Sequence, residues 1–455
     1  MAKYLTMNKQ TGKKWIKIVL LIFLSIAIGS IFSENESQKI GITILLLIGS
    51  LWITELIPLT ITALLVPILA YFSHVFDARE ALSHFSNPII YVFVGGFTLA
   101  AVLNQHGIDK WLAGKMILIS NGNVWKIITL FLVTTSFLSM WMSNTATTAM
   151  LLPIAMSLID KKYPRARTFV ILGTAYAANI GGIATLIGSP PNLIAAAALN
   201  IDFSTWIKFG LPFTILFFPV LLFTLKIVIR PEKGFQLNNV SMEKIEWSSR
   251  KSSAVIYFFS VVSLWIMSKP ISDFLKIENF DSIVALGATV AAPLLGLINW
   301  DELEKKINWG ILLLFGGGLC LSAILSETGT SAMLARNILS NINNDQGLLL
   351  ILTTIVFMVF LTEISSNTGA AAILVPIMLE VAKQFNPLYV LPMIVAIGIS
   401  ANCAFMLPVA TPPNALAYST NEVSMKQMMS VGFILNLLAI PLIWMIVSGK
   451  LLNFI

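Results

Sequence analysis

Charge is what this chain has least of. Only 11% of its 455 residues are Asp, Glu, Lys or Arg, less than half the roughly 25% of a soluble domain, while 57% are hydrophobic. A large soluble core is excluded. Histidine is scarce at three residues, and the two cysteines, Cys320 and Cys403, lie far apart in apolar stretches. They imply neither a disulfide framework nor a metal site. No His/Asp/Glu cluster accompanies the polar motifs below, which counts against an enzyme. The net charge of +7 does not point to nucleic acid either. Its basic residues fall in short clusters between apolar segments, the positive-inside pattern of a membrane protein.

What is present is apolar sequence of bilayer-crossing length. Charge-free runs at 169–200, 255–268, 282–300, 309–326 and 428–449 approach or exceed the roughly 20 residues that a spanning helix needs. The first apolar run, 18–33, follows Lys9, Lys13, Lys14 and Lys17 and lacks a small-x-small cleavage site. It is expected to be a retained helix with a cytoplasmic N-terminus. Basic clusters at 3–17, 110–126, 161–167, 230–251 and 305–306 mark one side, and the mixed stretches 34–39 and 77–80 the other. Four helices return the chain to Lys110 provided that 43–76 splits near Pro58.

Between Lys126 and Lys161 the apolar stretch is too long for one helix, and both ends belong on the same side. Asn144 sits almost midway between the two lysines, so each arm is about 26 Å long. The expectation is a re-entrant hairpin whose tip, Ser143-Asn144-Thr145, lies within the membrane. Irregular backbone at that depth is tolerated only where protein or a water-filled cavity surrounds it.

The second half repeats the first. Ser143-Asn144-Thr145 with Pro153 returns at one common interval as Ser366-Asn367-Thr368 with Pro376. In the same register Ala178-Asn179 returns as Ala401-Asn402, Gly188-Ser189-Pro190-Pro191-Asn192 as Ala410-Thr411-Pro412-Pro413-Asn414, and Phe93-Val94-Gly95-Gly96 as Leu314-Phe315-Gly316-Gly317. Five apolar passes between the hairpins, an odd number, invert the second repeat. Inverted repeats with interrupted helices at matching positions point to a transporter site near the bilayer midplane. The glycine pairs read more readily as close helix packing than as ligand sites.

The interruptions themselves suit an anion. Proline donates no backbone hydrogen bond and favours the first turn of a helix, so Pro190 and Pro412 each restart a half-helix. Its free N–H groups and positive dipole end favour negative charge. The half-helices that end there leave carbonyls for a hard cation such as sodium. No Lys, Arg or His lies in the hairpins or broken helices near these motifs. An uncompensated dianion at that depth is costly, so co-bound cations are expected, and a duplicated site fits a ligand with two similar ends. Glu55 and Glu363 are intramembrane carboxylates. Glu363, just before Ser366, is open to two readings, a cation or proton sensor or a vestibule-facing group.

Paired Ser-Asn-Thr motifs, each followed by a proline-interrupted helix, resemble the divalent-anion:sodium symporter family, over roughly 54–437. The resemblance implies an all-α polytopic membrane protein of about 11 transmembrane helices and two re-entrant hairpins. It also implies a homodimer in which a transport domain (127–230 and 347–455) moves as an elevator against a scaffold (1–126 and 231–346). By analogy Ser139, Ser143, Asn144 and backbone near Gly188 hold one sodium ion. Thr362, Ser365, Ser366, Asn367 and backbone near Ala410 hold a second. The substrate meets Asn144, Thr145, Ser189, Pro190, Asn367, Thr368, Thr411 and Pro412. Ser365 and Gly369 depart from Met142 and Ala146 of the first repeat, so the two sodium sites need not mirror each other.

The expected activity is sodium-coupled import of C4 dicarboxylates such as succinate, malate and fumarate across a bacterial inner membrane. Sodium is the only cofactor, with no organic one, and the partners are a small dianion and the lipid bilayer, with no nucleic acid. A sodium-independent dicarboxylate exchanger and a sulfate or citrate carrier are alternatives on the same scaffold. An anion channel or a membrane-embedded enzyme is a more distant one.

Overall fold

A computed structural model describes residues 2–119, 123–236, 247–340 and 346–449, without the side chains of 2–13, 110, 113 and 116–119. Parts of the charged stretches 3–17, 110–126 and 230–251 used above for orientation therefore lie outside it. The chain is 81% helical, with no strand among the described residues. In order, the helices are α1 (Ala2–Phe32), α2 (Glu36–Thr54), α3 (Leu59–Phe72), α4 (Ala78–Ser83), α5 (Pro88–Gln105) and α6 (Ile108–Ile119). The first hairpin is α7 (Val124–Ser139) and α8 (Asn144–Leu158), followed by α9 (Pro164–Gly181), α10 (Pro190–Leu199) and α11 (Phe203–Ile229). Then come α12 (Ser249–Ile266), α13 (Ser268–Leu275), α14 (Phe280–Leu294), α15 (Trp300–Lys306), α16 (Trp309–Glu327) and α17 (Thr330–Leu339). The second hairpin is α18 (Gly347–Ile364) and α19 (Asn367–Phe385), followed by α20 (Val390–Ser400), α21 (Pro412–Ser419) and α22 (Met425–Val447).

The expected split near Pro58 falls between α2 and α3, where Glu55 adopts the left-handed conformation and Pro58 caps the next helix. Eight described helices are long and apolar enough to cross a membrane, nine if the α12–α13 pair, bent by 60°, is one span. Taking each broken pair as one pass and setting the hairpins aside, α1, α2, α3, α5, α9–α10, α11, α12–α13, α14, α16, α20–α21 and α22 give eleven. Five of these lie between the hairpins.

The repeat extends well beyond its motifs. Left-handed backbone recurs at Glu55 and Lys276, His74 and Gly296, Gly107 and Gly329, and Asn200 and Asn421, pairs separated by very nearly the interval of the motifs. Such residues end helices or turn loops, so the two halves share their punctuation even where side chains have diverged.

Contacts divide the chain into two compact units: 1–87, 309–347 and 369–390 form one, and 88–308, 348–368 and 391–455 the other. In the first unit α16 crosses α3 so closely that a Cβ on Gly317 would lie 2.6 Å from that of Ala63. In the second, α5 crosses α14 with the same 2.6 Å between Gly95 and Ala285, and Thr98 meets Thr289 at 3.2 Å beside it. Gly317 stands to Gly95 as Ala285 does to Ala63, one residue out of the register that paired Gly95 with Gly316 in the sequence, so one glycine-to-alanine crossing is made once in each unit. Close approach through small residues is how helices associate where no hydrophobic drive separates them from lipid.

Candidate functional site

Every residue expected to bind sodium or substrate lies in the second unit. Four helices begin at motif residues: α8 at Asn144, α10 at Pro190, α19 at Asn367 and α21 at Pro412. The starts of α8 and α19 leave backbone N–H groups without an intrahelical acceptor, whereas α10 and α21 open on two prolines that have no N–H. The next N–H groups, of Asn192 and Asn414, go to Ser189 O and Thr411 Oγ1 at 3.2 Å each. Thr145 and Thr368 are the second residues of α8 and α19, and Ser189 and Thr411 are the N-caps of α10 and α21.

Around the first hairpin tip the oxygens converge. Asn144 Oδ1 accepts from Ser139 Oγ at 2.7 Å. The amide of Asn144 also lies 3.2 Å from the Ala178 carbonyl and 3.3 Å from that of Gly188. With the amide oxygen inward this is an all-oxygen cradle, the donor set a hard cation takes. With the amide reversed, its NH₂ faces the same three oxygens and shares its two protons among them. The cradle is thus satisfied with or without a cation. Gly182 makes it possible, since a Cβ there would sit 2.2 Å from Asn144 Oδ1.

The second hairpin repeats the arrangement in the same register. Thr362 Oγ1, counterpart of Ser139, lies within hydrogen-bond reach of both Asn367 Oδ1 and the carbonyl of Ala401, counterpart of Ala178, at 2.9 Å, with one proton between the two acceptors. Those two alanine carbonyls were not among the expected ligands, although the Ala-Asn repeat carried them. Other expected residues are placed differently. Ser143 is exposed at the start of α8, and Ser365 turns its hydroxyl to the Leu361 carbonyl of its own helix at 2.8 Å. Ser366 lies in the turn before α19, and Ala410 closes a backbone turn on Leu407.

The breaks are spanned by asparagines. Asn192 Nδ2 donates to the carbonyls of Gly182 and Thr185 at 2.8 and 2.7 Å. Asn414 Nδ2 does the same to Ala404 and Leu407 at 3.0 and 3.1 Å. Glu363 finds its role here as well. Its carboxylate, 3% exposed, accepts the backbone N–H groups of Phe405, Met406 and Leu407 at 2.7, 2.8 and 3.1 Å and the amide of Asn436 at 2.7 Å. It faces neither vestibule and serves as a clamp on the second break. Sequence reasoning could not see this, because the donors it meets lie on segments far along the chain from its own.

Helical passes, two hairpins and two broken helices define a membrane transporter fold. Among solved structures the chain is similar to the YdaH transporter of Alcanivorax borkumensis, with a TM-score of 0.54 and 13% identity over 80% of this chain and 86% of that one. It is also similar to Neisseria gonorrhoeae MtrF, described as an antimetabolite efflux pump, with a TM-score of 0.55 and 15% identity over 83% and 84%. These likenesses speak for the fold alone.

The sequence comparisons go further. The citrate transporter family model matches residues 50–338, and the transmembrane region of sodium:sulfate symporters matches 246–454. A Haemophilus influenzae protein named an uncharacterized transporter is 40% identical over 95% of this chain and 96% of its own length. The sodium-dependent dicarboxylate transporter SdcS of Staphylococcus saprophyticus is 35% identical over 91% and 86%. The chain belongs to the divalent-anion:sodium symporter family and is a multi-span membrane transporter, not an enzyme.

Proposed function

We propose that this chain imports C4 dicarboxylates by sodium symport. The observation that carries the reading is the pair of mirrored oxygen cradles, Ser139–Asn144–Ala178–Gly188 and Thr362–Asn367–Ala401, set at the starts of α8 and α19 with no cationic side chain in the hairpins or broken helices near them. Sodium in the cradles supplies the positive charge that the protein withholds. The N–H groups at Asn144, Thr145, Ser189, Asn367 and Thr368, the hydroxyls of Thr145, Thr368 and Thr411, and the positive dipole ends of the helices that begin at Pro190 and Pro412 hold the two carboxylates. The 35% identity to a relative named for sodium and dicarboxylate supports the same choice.

In this reading Ser143, Ser365, Ser366 and the Ala410 backbone complete sodium coordination when the hairpin tips close on the ion. Residues 127–230 and 347–455 form the moving domain and the remainder the scaffold. The working unit is a homodimer in the bacterial inner membrane with cytoplasmic N-termini. The names of the matching family models keep citrate and sulfate as competing substrates, and an obligate dicarboxylate exchanger as a competing mode.

The test is radiolabelled succinate uptake into proteoliposomes under an inward sodium gradient, with potassium in its place as the control. Uptake only with sodium supports symport. Uptake indifferent to sodium but requiring internal dicarboxylate makes the chain an exchanger. No succinate uptake, with uptake of citrate or sulfate instead, replaces the substrate.

A further inference from the structure

Asn179 and Asn402, counterparts in the two repeats, are each 1% exposed and belong to none of the roles above. Their amide orientations follow from backbone carbonyls, which can only accept. Asn192 spends its NH₂ on Gly182 and Thr185, so its Oδ1 must accept, and it does so from Asn402 Nδ2 at 2.8 Å. Asn402 also donates to Gly398 O at 2.8 Å, so its own Oδ1 accepts, and the donor is the hydroxyl of Ser189. On the other side Asn414 spends its NH₂ on Ala404 and Leu407. Its Oδ1 accepts from Asn179 Nδ2 at 3.2 Å, which also donates to Thr411 Oγ1 at 3.1 Å.

Both asparagines therefore work across the repeat. The backbone of Ala178-Asn179 sits at the first cradle, while the Asn179 side chain holds Thr411 and Asn414 of the second half. The backbone of Ala401-Asn402 sits at the second cradle, while the Asn402 side chain holds Ser189 and Asn192 of the first. We infer that Asn179 and Asn402 are positioning residues that each set the helix break and capping hydroxyl of the opposite half-site, so that the two half-sites are arranged together.

The lacing also gives the two hydroxyls different work. Ser189 has committed its proton to Asn402. Thr411 Oγ1 accepts from Asn179 and from the Asn414 backbone N–H at 3.2 Å, which leaves its proton for a further acceptor. On the symport reading, on which this last step rests, that acceptor is a substrate carboxylate, and an ion entering one cradle is felt at the other through the asparagine beside it.

The crosswise part is tested without transport, by hydrogen exchange with mass spectrometry on the purified full-length protein in detergent. Asn402→Ser is expected to speed exchange of the amides in 182–189 about tenfold and leave 403–411 near wild type. Asn179→Ser is expected to do the reverse, and either variant alone decides if the other fails to fold. Loosening of each variant's own break, of both breaks equally, or of the whole unit in both variants overturns the inference. In proteoliposomes Asn402→Ser is further expected to raise the half-saturating sodium concentration while maximal uptake at saturating sodium stays within about twofold. A fall in maximal uptake with sodium dependence unchanged would reduce Asn402 to a purely structural role. Failure of the wild type to carry any dianion would sink the transport reading and leave the exchange result standing.

Discussion

The two helix breaks descend from one sequence pattern, yet they are held by different chemistry. In the first, the N–H groups of Ile183 and Ala184 turn back onto the carbonyls of Ile180 and Gly181 at 3.2 and 3.0 Å. The stretch stays wound and largely satisfies itself, with Thr185 donating to Met140 O and Trp206 Nε1 to Ile183 O at 3.0 Å. The second break is opened. Phe405, Met406 and Leu407, the counterparts of Ile183, Ala184 and Thr185, turn their three N–H groups to one carboxylate, that of Glu363. Glu363 stands where the first repeat has Met140, and its partner Asn436 where the first has Thr214. Tyr176 then captures the Phe405 carbonyl at 2.7 Å, as Trp206 captures that of Ile183. Buried backbone donors must find partners. A break can be wound enough to supply them locally or opened and supplied by a side chain, and this protein does one of each.

The hairpin tips differ in the same sense. Trp141 is 7% exposed, stacked beside Phe203 and edge-to-face with Phe258, with ring centroids 6.2 and 5.2 Å away. Its counterpart Ile364 is 70% exposed. The first half is the packed partner, and the second carries the exposed tip and the opened break.

The largest expected effect falls where the halves are alike. Asn144→Ala and Asn367→Ala should each abolish sodium-dependent uptake while the protein still reaches the membrane. Normal uptake by either variant would falsify the cradle assignment. Next, the halves should part company at the clamp. Glu363→Gln removes charge-assisted hydrogen bonds and should cost about 2–3 kcal/mol of stability, whereas Met140→Leu, a volume-conserving change at the matching position, should cost less than ~1.5 kcal/mol. Thermal denaturation of the purified variants decides, and equal losses would mean that the opened break does not depend on its carboxylate.

A smaller difference is expected at the two capping hydroxyls. Thr411→Val should raise the apparent KM for the dianion about tenfold or more, with Thr411→Ser near wild type. Ser189→Ala should change it by less than about threefold, because that proton is already committed to Asn402. Equal effects in uptake kinetics would restore the symmetry that the hydrogen bonds deny.

The smallest effect concerns acid. Glu232 accepts the N–H groups of Arg165 and Ala166 at 3.0 and 2.9 Å at the start of α9. Partial burial pushes its carboxyl up, but these bonds and the Arg165 guanidinium outweigh it and hold it below the ordinary glutamate value of 4.5. Its stabilising contribution is therefore complete above that value and lost as pH falls through the depressed one. At the corresponding point before α20 the cap is the uncharged Asn386, which accepts from Leu388 N at 2.9 Å. Glu232→Gln should flatten the acid side of the pH–stability curve, and an unchanged acid side would show that this cap carries no proton linkage.

Much of this protein was legible without coordinates. The hairpin tips, the helix restarts at Pro190 and Pro412, the split near Pro58 and the internal repeat all rest on local causes. Proline cannot donate, apolar runs have a minimum length for crossing a bilayer, and a buried polar triplet must mark a turn or a site. Those rules act over short stretches of chain, so the sequence alone determined the elements and where they stop. The tertiary structure decided who satisfies whom. That Glu363 clamps residues 405–407, that the alanine carbonyls 178 and 401 complete the cradles, and that Asn179 and Asn402 reach into the opposite repeat are all contacts between segments distant in the chain. A buried polar group takes the nearest donor or acceptor in space, and only the folded chain fixes which one that is.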